Sequence, residues 1–385
     1  MSTAALHWYV PYEKLDARQK DFVDTYKQGD KVFLQGPPGS GKTILLINII
    51  NNLRQQQPNQ RLGLVTFTHS LIDMLNTGLT PGNGVRAITY HQFRKAPGRY
   101  DILFVDEIQD IPADVLALLR SATSQLVVAG DGHQRIYRDG CSEADLLNTL
   151  GLTDPKHQFR IAISYRLTPS VFRAARVFKP TVLDSKESPE KTDVRPELAR
   201  AQSRELEAAY IYKRARLGPQ KGEVSAILLP THEKIVEFAN QVLAYEGKPQ
   251  WEVQLNNYKR TNFGLLNAHF KQHGIPLEVV QNDYGSLEAI ASEKRVVLQT
   301  YHSAKGLDYN NVYLPFLTAG TFIDSFAPDT LFYVAFTRSR AVLCLSYTGT
   351  PHQYLRQIEA HCASIEANPD RVLAAGAAVN FGDDF

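Results

Sequence analysis

Residues 36–43, GPPGSGKT, have the spacing of a phosphate-binding loop, G-x-x-x-x-G-K-[ST]. Glycines in such a loop let backbone N–H groups point at an anion, and the following helix adds a partial positive charge. The pattern predicts that Lys42 reaches the β- and γ-phosphates of ATP and that the Thr43 hydroxyl binds Mg²⁺. The predicted nucleotide-binding residues are Gly36, Pro37, Pro38, Gly39, Ser40, Gly41, Lys42 and Thr43. A glycine-rich turn that merely starts a helix is the alternative.

Two adjacent acids, Asp106 and Glu107, follow the apolar run ILFV. A carboxylate in this position can bind Mg²⁺, and a second can deprotonate an attacking water. We therefore expect Asp106 to be a metal ligand and Glu107 to be the general base. An acidic strand end that caps the next helix would have the same sequence, but the loop at 36–43 favours catalysis.

A glutamine lies shortly upstream of the phosphate-binding loop. Asp16 is a candidate N-cap, so Gln19 falls in the first turn of a predicted helix. Its amide can pair with both the donor and the acceptor edge of adenine. Taken alone, a solvated helix residue is the simpler interpretation.

These residues must be positioned by alternating strands and helices. Helical stretches such as 43–56 and 114–121 separate apolar runs that predict strands over 31–35, 61–68, 85–90, 102–110 and 125–131. The second half predicts a helix over 233–245 and strands over 223–230, 274–280, 295–301, 311–316 and 341–347. Between the halves, 179–222 predicts a loop and one amphipathic helix. The fold class is therefore α/β, with mostly parallel sheets and ligands at strand ends.

Bulk composition is that of a soluble globular protein with two or three domains. The chain has 385 residues, 43% of them hydrophobic and 21% charged, and its net charge is +2. Three scattered cysteines without a CxxC pair argue against a zinc site and suit a reducing cytoplasm. The longest apolar run is far too short to span a membrane, and no signal sequence is recognisable.

An ordered set of motifs resembles the superfamily 1 helicases of the UvrD/Rep type. Residues 105–110 (VDEIQD) resemble their motif II, and residues 130–138 (GDGHQRIYR) resemble their motif III. The other matching segments are VTFT at 65–68, TYHQF at 89–93, SYR at 164–166, TYHSAKGLD at 300–308 and YVAFTR at 333–338. The set covers nearly the whole chain in the family order.

The resemblance implies two tandem RecA-like P-loop domains with parallel sheets, which close on ATP between them. We place the N-terminal ATP-binding domain at 1–160, the C-terminal helicase domain at 161–350, and a C-terminal helix and tail at 351–385. The acidic tip, Gly382–Phe385, is a candidate contact for a partner.

Site residues also follow from the resemblance. Gln134 matches the γ-phosphate sensor, and Arg166 and Arg338 match the two arginine fingers. Tyr165 matches the residue that stacks on adenine, while Gly306 and Asp308 fall near the nucleotide. A surface ion pair is the alternative for each arginine. The expected catalytic residues are Lys42, Asp106, Glu107, Gln134, Arg166 and Arg338.

Positions along the strand track of the family are the candidate nucleic-acid contacts, with ordinary core packing as the alternative for each. They are Phe67, Thr68, His91, Tyr137 and His302. Two departures from the family stand out. Asp139-Gly140 replaces the tryptophan that stacks on a base after motif III, and the large inserted subdomains are absent. Stacking contributes about 1–3 kcal/mol per base. We therefore expect either weaker binding of a single strand or other residues that supply the missing contact.

The first functional hypothesis is an ATP- and Mg²⁺-dependent helicase or translocase on single-stranded DNA, 3′-to-5′ by resemblance. The alternative is a nucleic-acid-stimulated ATPase switch, or a subunit of a DNA repair or phage-defence complex with a protein partner such as a nuclease. A third hypothesis, a P-loop ATPase unrelated to nucleic acid, requires that no strand stimulates the ATPase.

Overall fold

The computed structural model describes residues 9–26, 31–82, 84–179, 185–188, 191–281 and 284–372. The acidic tip at 382–385 lies outside these ranges. Within them, no helix combines the length and the apolar character that a membrane crossing requires.

The first lobe is built on a parallel sheet with the strand order β3-β2-β4-β5-β1-β6. Its two central strands are apolar and buried, except for the half-buried Gln125 that begins one of them, because helices cover both faces of the sheet. The described strands are β1 (Val32–Gln35), β2 (Leu62–Thr66), β3 (Ala87–Thr89), β4 (Ile102–Val105), β5 (Gln125–Gly130) and β6 (Gln158–Arg160).

Helices of the first lobe connect these strands. Asp16 caps the first helix as predicted, because its carboxylate accepts the backbone N–H groups of Arg18 and Gln19. The described helices are α1 (Ala17–Thr25), α2 (Lys42–Gln56), α3 (His69–Gly78), α4 (Tyr90–Lys95), α5 (Ala113–Ala122) and α6 (Glu143–Leu150).

The second lobe repeats the architecture with a parallel sheet in the order β11-β12-β10-β13-β14-β9-β15. A short parallel pair, β7 (Ile163–Ser164) and β8 (Lys186–Glu187), lies before it in the chain. The sheet strands are β9 (Glu197–Ala201), β10 (Ser225–Leu229), β11 (Leu277–Val279), β12 (Val296–Thr300), β13 (Tyr309–Leu314), β14 (Ser339–Thr348) and β15 (Ala363–Glu366). The predicted α/β class with two parallel sheets is confirmed.

The helices of the second lobe include one that precedes its sheet. Phe178, at the end of that helix, packs edge-on against Phe332 and Tyr354 of the two last helices. The described helices are α7 (Pro169–Phe178), α8 (Arg204–Gln220), α9 (His232–Tyr245), α10 (Phe263–Gln272), α11 (Leu287–Glu293), α12 (Pro328–Phe336) and α13 (Gln353–Ile358).

Two strands of the second sheet were not predicted. The stretch 179–222 contains β9 besides the predicted helix, and β15 follows α13 in the C-terminal segment. The sequence of β9, ELARA, is rich in residues that favour helices, and only its pairing with β14 and β15 makes it a strand. The strand predicted over 102–110 ends at Val105, and a 3₁₀ turn covers Ile108–Asp110. The domain boundaries after 160 and 350 stay a prediction.

A buried carboxylate on α8 fixes the end of β13. Glu207 accepts hydrogen bonds from the backbone N–H of Phe316 (2.7 Å), from Ser346 Oγ (2.8 Å) and from Thr348 Oγ1 (2.6 Å). Phe316 has a φ of 65°, which is unfavourable for a side chain of this size, and its ring is fully buried under the Arg204 guanidinium. Glu207 therefore stabilises the strained turn from which residues 317–327 extend.

Glu207→Ala should lower the free energy of unfolding by about 3 kcal/mol, because it leaves two buried donors and the half-buried Thr348 hydroxyl without an acceptor. Glu205, two residues earlier on α8, is exposed, so Glu205→Ala should cost no more than about 1 kcal/mol. Urea unfolding of both variants measures the difference. Equal effects would show that the buried carboxylate does not stabilise the turn.

Candidate active site

The strand order places three loops of the first lobe side by side. The phosphate-binding loop follows β1, Asp106 follows β4 and Asp131 follows β5. These strands are neighbours in the order β4-β5-β1, and all are parallel, so their carboxyl ends meet at one edge of the sheet. This is the edge at which open α/β sheets bind ligands.

The phosphate-binding loop turns sharply before α2. Gly39 and Gly41 have φ values of 76° and 86°, and α2 begins directly after them at Lys42. Lys42 Nζ donates to the carbonyl oxygens of Gly36 (2.7 Å) and Pro37 (3.3 Å). Burial lowers the pKa of this amine. The ammonium thus points into the loop, where phosphate oxygens could replace the two carbonyls.

Two other segments hold the loop in place. Gln19 is buried against it, and its Nε2 donates to the Ser40 carbonyl (3.2 Å). A solvated position for Gln19, the simpler interpretation of the sequence, is wrong. On the other side, Ser164 Oγ donates to the Pro38 carbonyl (2.8 Å), and the Tyr165 backbone N–H donates to the Gly39 carbonyl (2.9 Å). Gln19 and Tyr165, the two predicted adenine contacts, therefore flank the loop.

The acids after β4 contact the loop through its last residue. Thr43 Oγ1 donates to Asp106 Oδ2 at 2.7 Å, so the two predicted metal ligands are adjacent. Glu107 has a φ of 54°, and its carboxylate accepts from Gln109 Nε2 at 2.5 Å. A left-handed conformation is rare for glutamate and is typical of strained functional sites.

The two acids have opposite pKa shifts. Burial raises the pKa of Asp106 to about 7, and the neighbouring Glu107 carboxylate adds to this shift. Burial also acts to raise the pKa of Glu107, but Lys305, Lys42 and Arg338 outweigh it and hold that pKa below its ordinary value. Glu107 is therefore ionised at neutral pH, as a general base must be.

The predicted sensor, Gln134, and one predicted arginine finger, Arg338, meet across the two lobes. Arg338 Nη2 donates to Gln134 Oε1 at 3.0 Å, and Gln134 Nε2 donates to Asp131 Oδ2 at 2.9 Å. Arg338 is only 2% exposed, and burial lowers the pKa of its guanidinium to about 9, still well above neutral. The alternative interpretation of Arg338, a surface ion pair, is wrong.

A second contact between the lobes was missed in the sequence. Lys305 Nζ donates to Asp110 Oδ2 and to the Gln134 carbonyl, and it lies 4.0 Å from Glu107 Oε2. Lys305 and Asp110 are both buried. Each belongs to a motif, yet nothing in the sequence pairs two residues that lie 195 positions apart.

The other predicted arginine finger, Arg166, pairs with an acid of the second lobe. Arg166 Nε donates to Asp308 Oδ2 (2.9 Å), and Arg166 Nη1 donates to the Thr337 carbonyl (3.2 Å). Arg340 binds the other oxygen of Asp308 at 2.5 Å. Arg166 lies beside the loop as well, because a Cβ added to Gly39 would meet its Cβ. Arg166 and Asp308 are thus brought to the cleft as a pair.

Residues 301–308 cross the face of the second lobe. They connect the carboxyl end of β12 to the amino end of β13, a parallel strand that β10 separates from β12 in the sheet. His302 therefore stands at one end of the segment and Asp308 at the other, with Lys305 between them. Gly306 has a φ of 82° and packs so closely on Leu71 of the first lobe that a Cβ there would clash.

Four of the five candidate strand contacts form one aromatic row. Phe67 and Tyr137 have ring centroids 4.4 Å apart, and Tyr137 and His302 are 5.9 Å apart. Tyr90, which was not among the predicted contacts, lies between Phe67 and His91. Its ring centroid is 5.0 Å from that of Phe67 and 3.9 Å from that of His91. The row runs from the first lobe into the second.

Thr68 is the exception among the candidates. It precedes α3 beside Phe67, and its hydroxyl is buried without a hydrogen-bond partner in the described part of the chain. Thr68 therefore has a place next to the row but no ring contact in it.

The donor set of the cleft fits a Mg–nucleotide. Thr43 and Asp106 offer a hydroxyl and a carboxylate, which are the hard oxygen ligands that Mg²⁺ takes, with phosphate oxygens and water completing its shell. No group of three His, Cys, Asp or Glu side chains suited to a metal occurs among the described residues.

Comparisons with known proteins agree with this geometry. A family model described as an AAA domain matches residues 19–139, and one described as a UvrD-like helicase C-terminal domain matches residues 232–350. F-box DNA helicase 1 of Gallus gallus is 33% identical over 72 residues, which are 19% of this chain and 7% of that protein.

The chain thus spans a small fraction of that relative. A solved structure, that of the PRRSV helicase, aligns with 84% of this chain and 53% of its own chain, with 16% identity and a TM-score of 0.44. The two family models together match more than half of the chain, one in each lobe. The protein belongs to the UvrD-like superfamily 1 helicases.

Proposed function

We propose that the protein is an ATP-dependent translocase and helicase that moves 3′-to-5′ on single-stranded DNA. The observation that supports it best is the Arg338–Gln134 hydrogen bond, in which a buried guanidinium of one lobe contacts the sensor of the other. Tyr137, three residues after the sensor, belongs to the aromatic row. One short loop therefore has contacts at the nucleotide cleft and on the proposed strand track.

Hydrolysis would rest on residues of both lobes. Glu107 would accept a proton from the attacking water while Lys42, Gln134, Arg166 and Arg338 stabilise the charge on the transferring phosphoryl group. Mg²⁺, held by Thr43 and Asp106, would neutralise phosphate charge. ATP must first replace the internal partners of these groups, which include the Gly36 carbonyl for Lys42 and Asp308 for Arg166.

A second function is favoured by the compact scaffold. Only residues 96–101 separate α4 from β4, and Asp139 stands where related motors have a tryptophan. The protein would then be a strand-stimulated ATPase switch that signals to a partner, such as a nuclease of DNA repair or phage defence, in the cytoplasm. In that case ATP hydrolysis would respond to DNA without strand separation.

Lys42→Ala and Glu107→Gln should each abolish ATP hydrolysis, because one removes the phosphate-binding cation and the other the general base. Lys156→Ala is the matched control, since Lys156 is exposed, and it should retain wild-type turnover. Phosphate release over time measures all three. Normal turnover in either site variant would reject the catalytic assignment.

Arg338→Ala should slow hydrolysis by about 10³-fold or more, as arginine fingers of other phosphoryl-transfer enzymes do. Nucleotide affinity should change little, because Lys42 and the loop remain. Single-turnover hydrolysis and binding of a fluorescent ATP analogue measure the two effects separately. Arg356→Ala, at an exposed arginine, is the control; unchanged turnover of Arg338→Ala would reject its finger role.

Single-stranded DNA should stimulate the ATPase of the wild-type protein, and duplexes with a 3′ tail should be unwound in preference to those with a 5′ tail. Steady-state ATPase with DNA or RNA strands and a fluorescent strand-displacement assay test these expectations, with Lys42→Ala as the inactive control. Stimulation without displacement selects the switch. No stimulation by any strand rejects both proposals.

A further inference from the structure

We propose that Phe326 of the second lobe forms the base-stacking platform of the strand track, in place of the tryptophan that Asp139 replaces. This inference rests on the proposed action on single-stranded nucleic acid. Its ligand is an unpaired base of such a strand.

Phe326 lies in the segment between β13 and α12 and is 37% exposed. The Arg138 and Arg135 guanidiniums of the first lobe lie over its ring, 5.5 Å and 5.8 Å from the ring centroid. Both arginines flank the loop that carries Tyr137. An exposed aromatic ring beside guanidinium groups is the combination that binds unpaired bases, since the ring stacks on a base and the cation contacts its phosphate.

The backbone at Phe326 is fixed from within its own segment. Asp324 Oδ2 accepts the backbone N–H groups of Phe326 (2.9 Å) and Ala327 (2.7 Å). The segment begins after the turn at Phe316 that Glu207 stabilises. A backbone that is held in this way loses little freedom when a base stacks on the ring, which favours binding.

The position of Phe326 on the aromatic row follows from a closed set of contacts. Asp324 Oδ1 lies 4.0 Å from His302 Nε2, and the His302 ring is next to that of Tyr137. The guanidinium of Arg138, which follows Tyr137 in the chain, lies over the Phe326 ring. Phe326 therefore lies near the Tyr137–His302 end of the row, next to the last residue of motif III, Arg138.

Phe322 supplies a matched control in the same segment. It is more exposed than Phe326, at 60%, and makes no ring or cation contact with another described residue. If exposed apolar surface alone attracted a strand, Phe322 would matter at least as much as Phe326. Stacking on a positioned ring predicts that only Phe326 matters.

The test measures equilibrium binding of fluorescein-labelled oligothymidylate to the full chain. Phe326→Ala and Phe326→Leu should both weaken binding by about 5- to 150-fold, the range for loss of one stacked base. Phe322→Ala should stay within about twofold of wild type. Wild-type affinity of Phe326→Leu would show that stacking is not the interaction, and equal losses at both positions would also overturn the site.

A gain-of-signal variant guards against loss of folding. Phe326→Trp should bind oligothymidylate at least as tightly as the wild type, and its added tryptophan fluorescence should be quenched by the strand. The wild-type protein already fluoresces because it contains Trp8 and Trp251. Its fluorescence, with and without the strand, is therefore subtracted. Binding without quenching overturns the inference alone, whereas a wild-type protein that binds no strand rejects the proposed function itself.

Discussion

The buried guanidinium of Arg338 is the constraint on which the cleft depends. A charge removed from water must have its donors satisfied by fixed acceptors. Three of its bonds stay within the second lobe, to Val334, Leu307 and Thr337, and the fourth goes to Gln134 of the first. One lobe can move relative to the other only if this bond is exchanged for another acceptor. A γ-phosphate is such an acceptor.

Two short segments join this buried contact to the aromatic row. In the first lobe, the chain passes from Gln134 to Tyr137 within one loop. In the second, residues 301–308 run from His302 past Lys305 to Asp308, and Lys305 binds Asp110 and the Gln134 carbonyl on the way. In the proposed function, a shift at the nucleotide would move these packed segments, whose other ends lie on the row. They would form the physical route by which hydrolysis changes the grip on a strand.

How far the sequence predicts this arrangement depends on whether a feature is local. The loop at 36–43 and the helix cap at Asp16 each depend on a few neighbouring residues, and both were predicted. The strand β9 and the Lys305–Asp110 pair were not, because each depends on partners far along the chain. Phe326 belongs to no motif at all, and only its place beside Arg138 nominates it.

A platform divided between lobes has a different consequence from a tryptophan on one lobe. A tryptophan after motif III would move with the first lobe alone and would keep its grip whatever the cleft does. Phe326 belongs to the second lobe and its arginine neighbours to the first. Separation of the lobes must therefore move the ring away from the cations. Strand binding at this platform would then change together with closure of the cleft. Only residues 96–101 separate α4 from β4, and in so compact a scaffold such coupling would serve either proposed function, movement along a strand or a signal that a strand is bound.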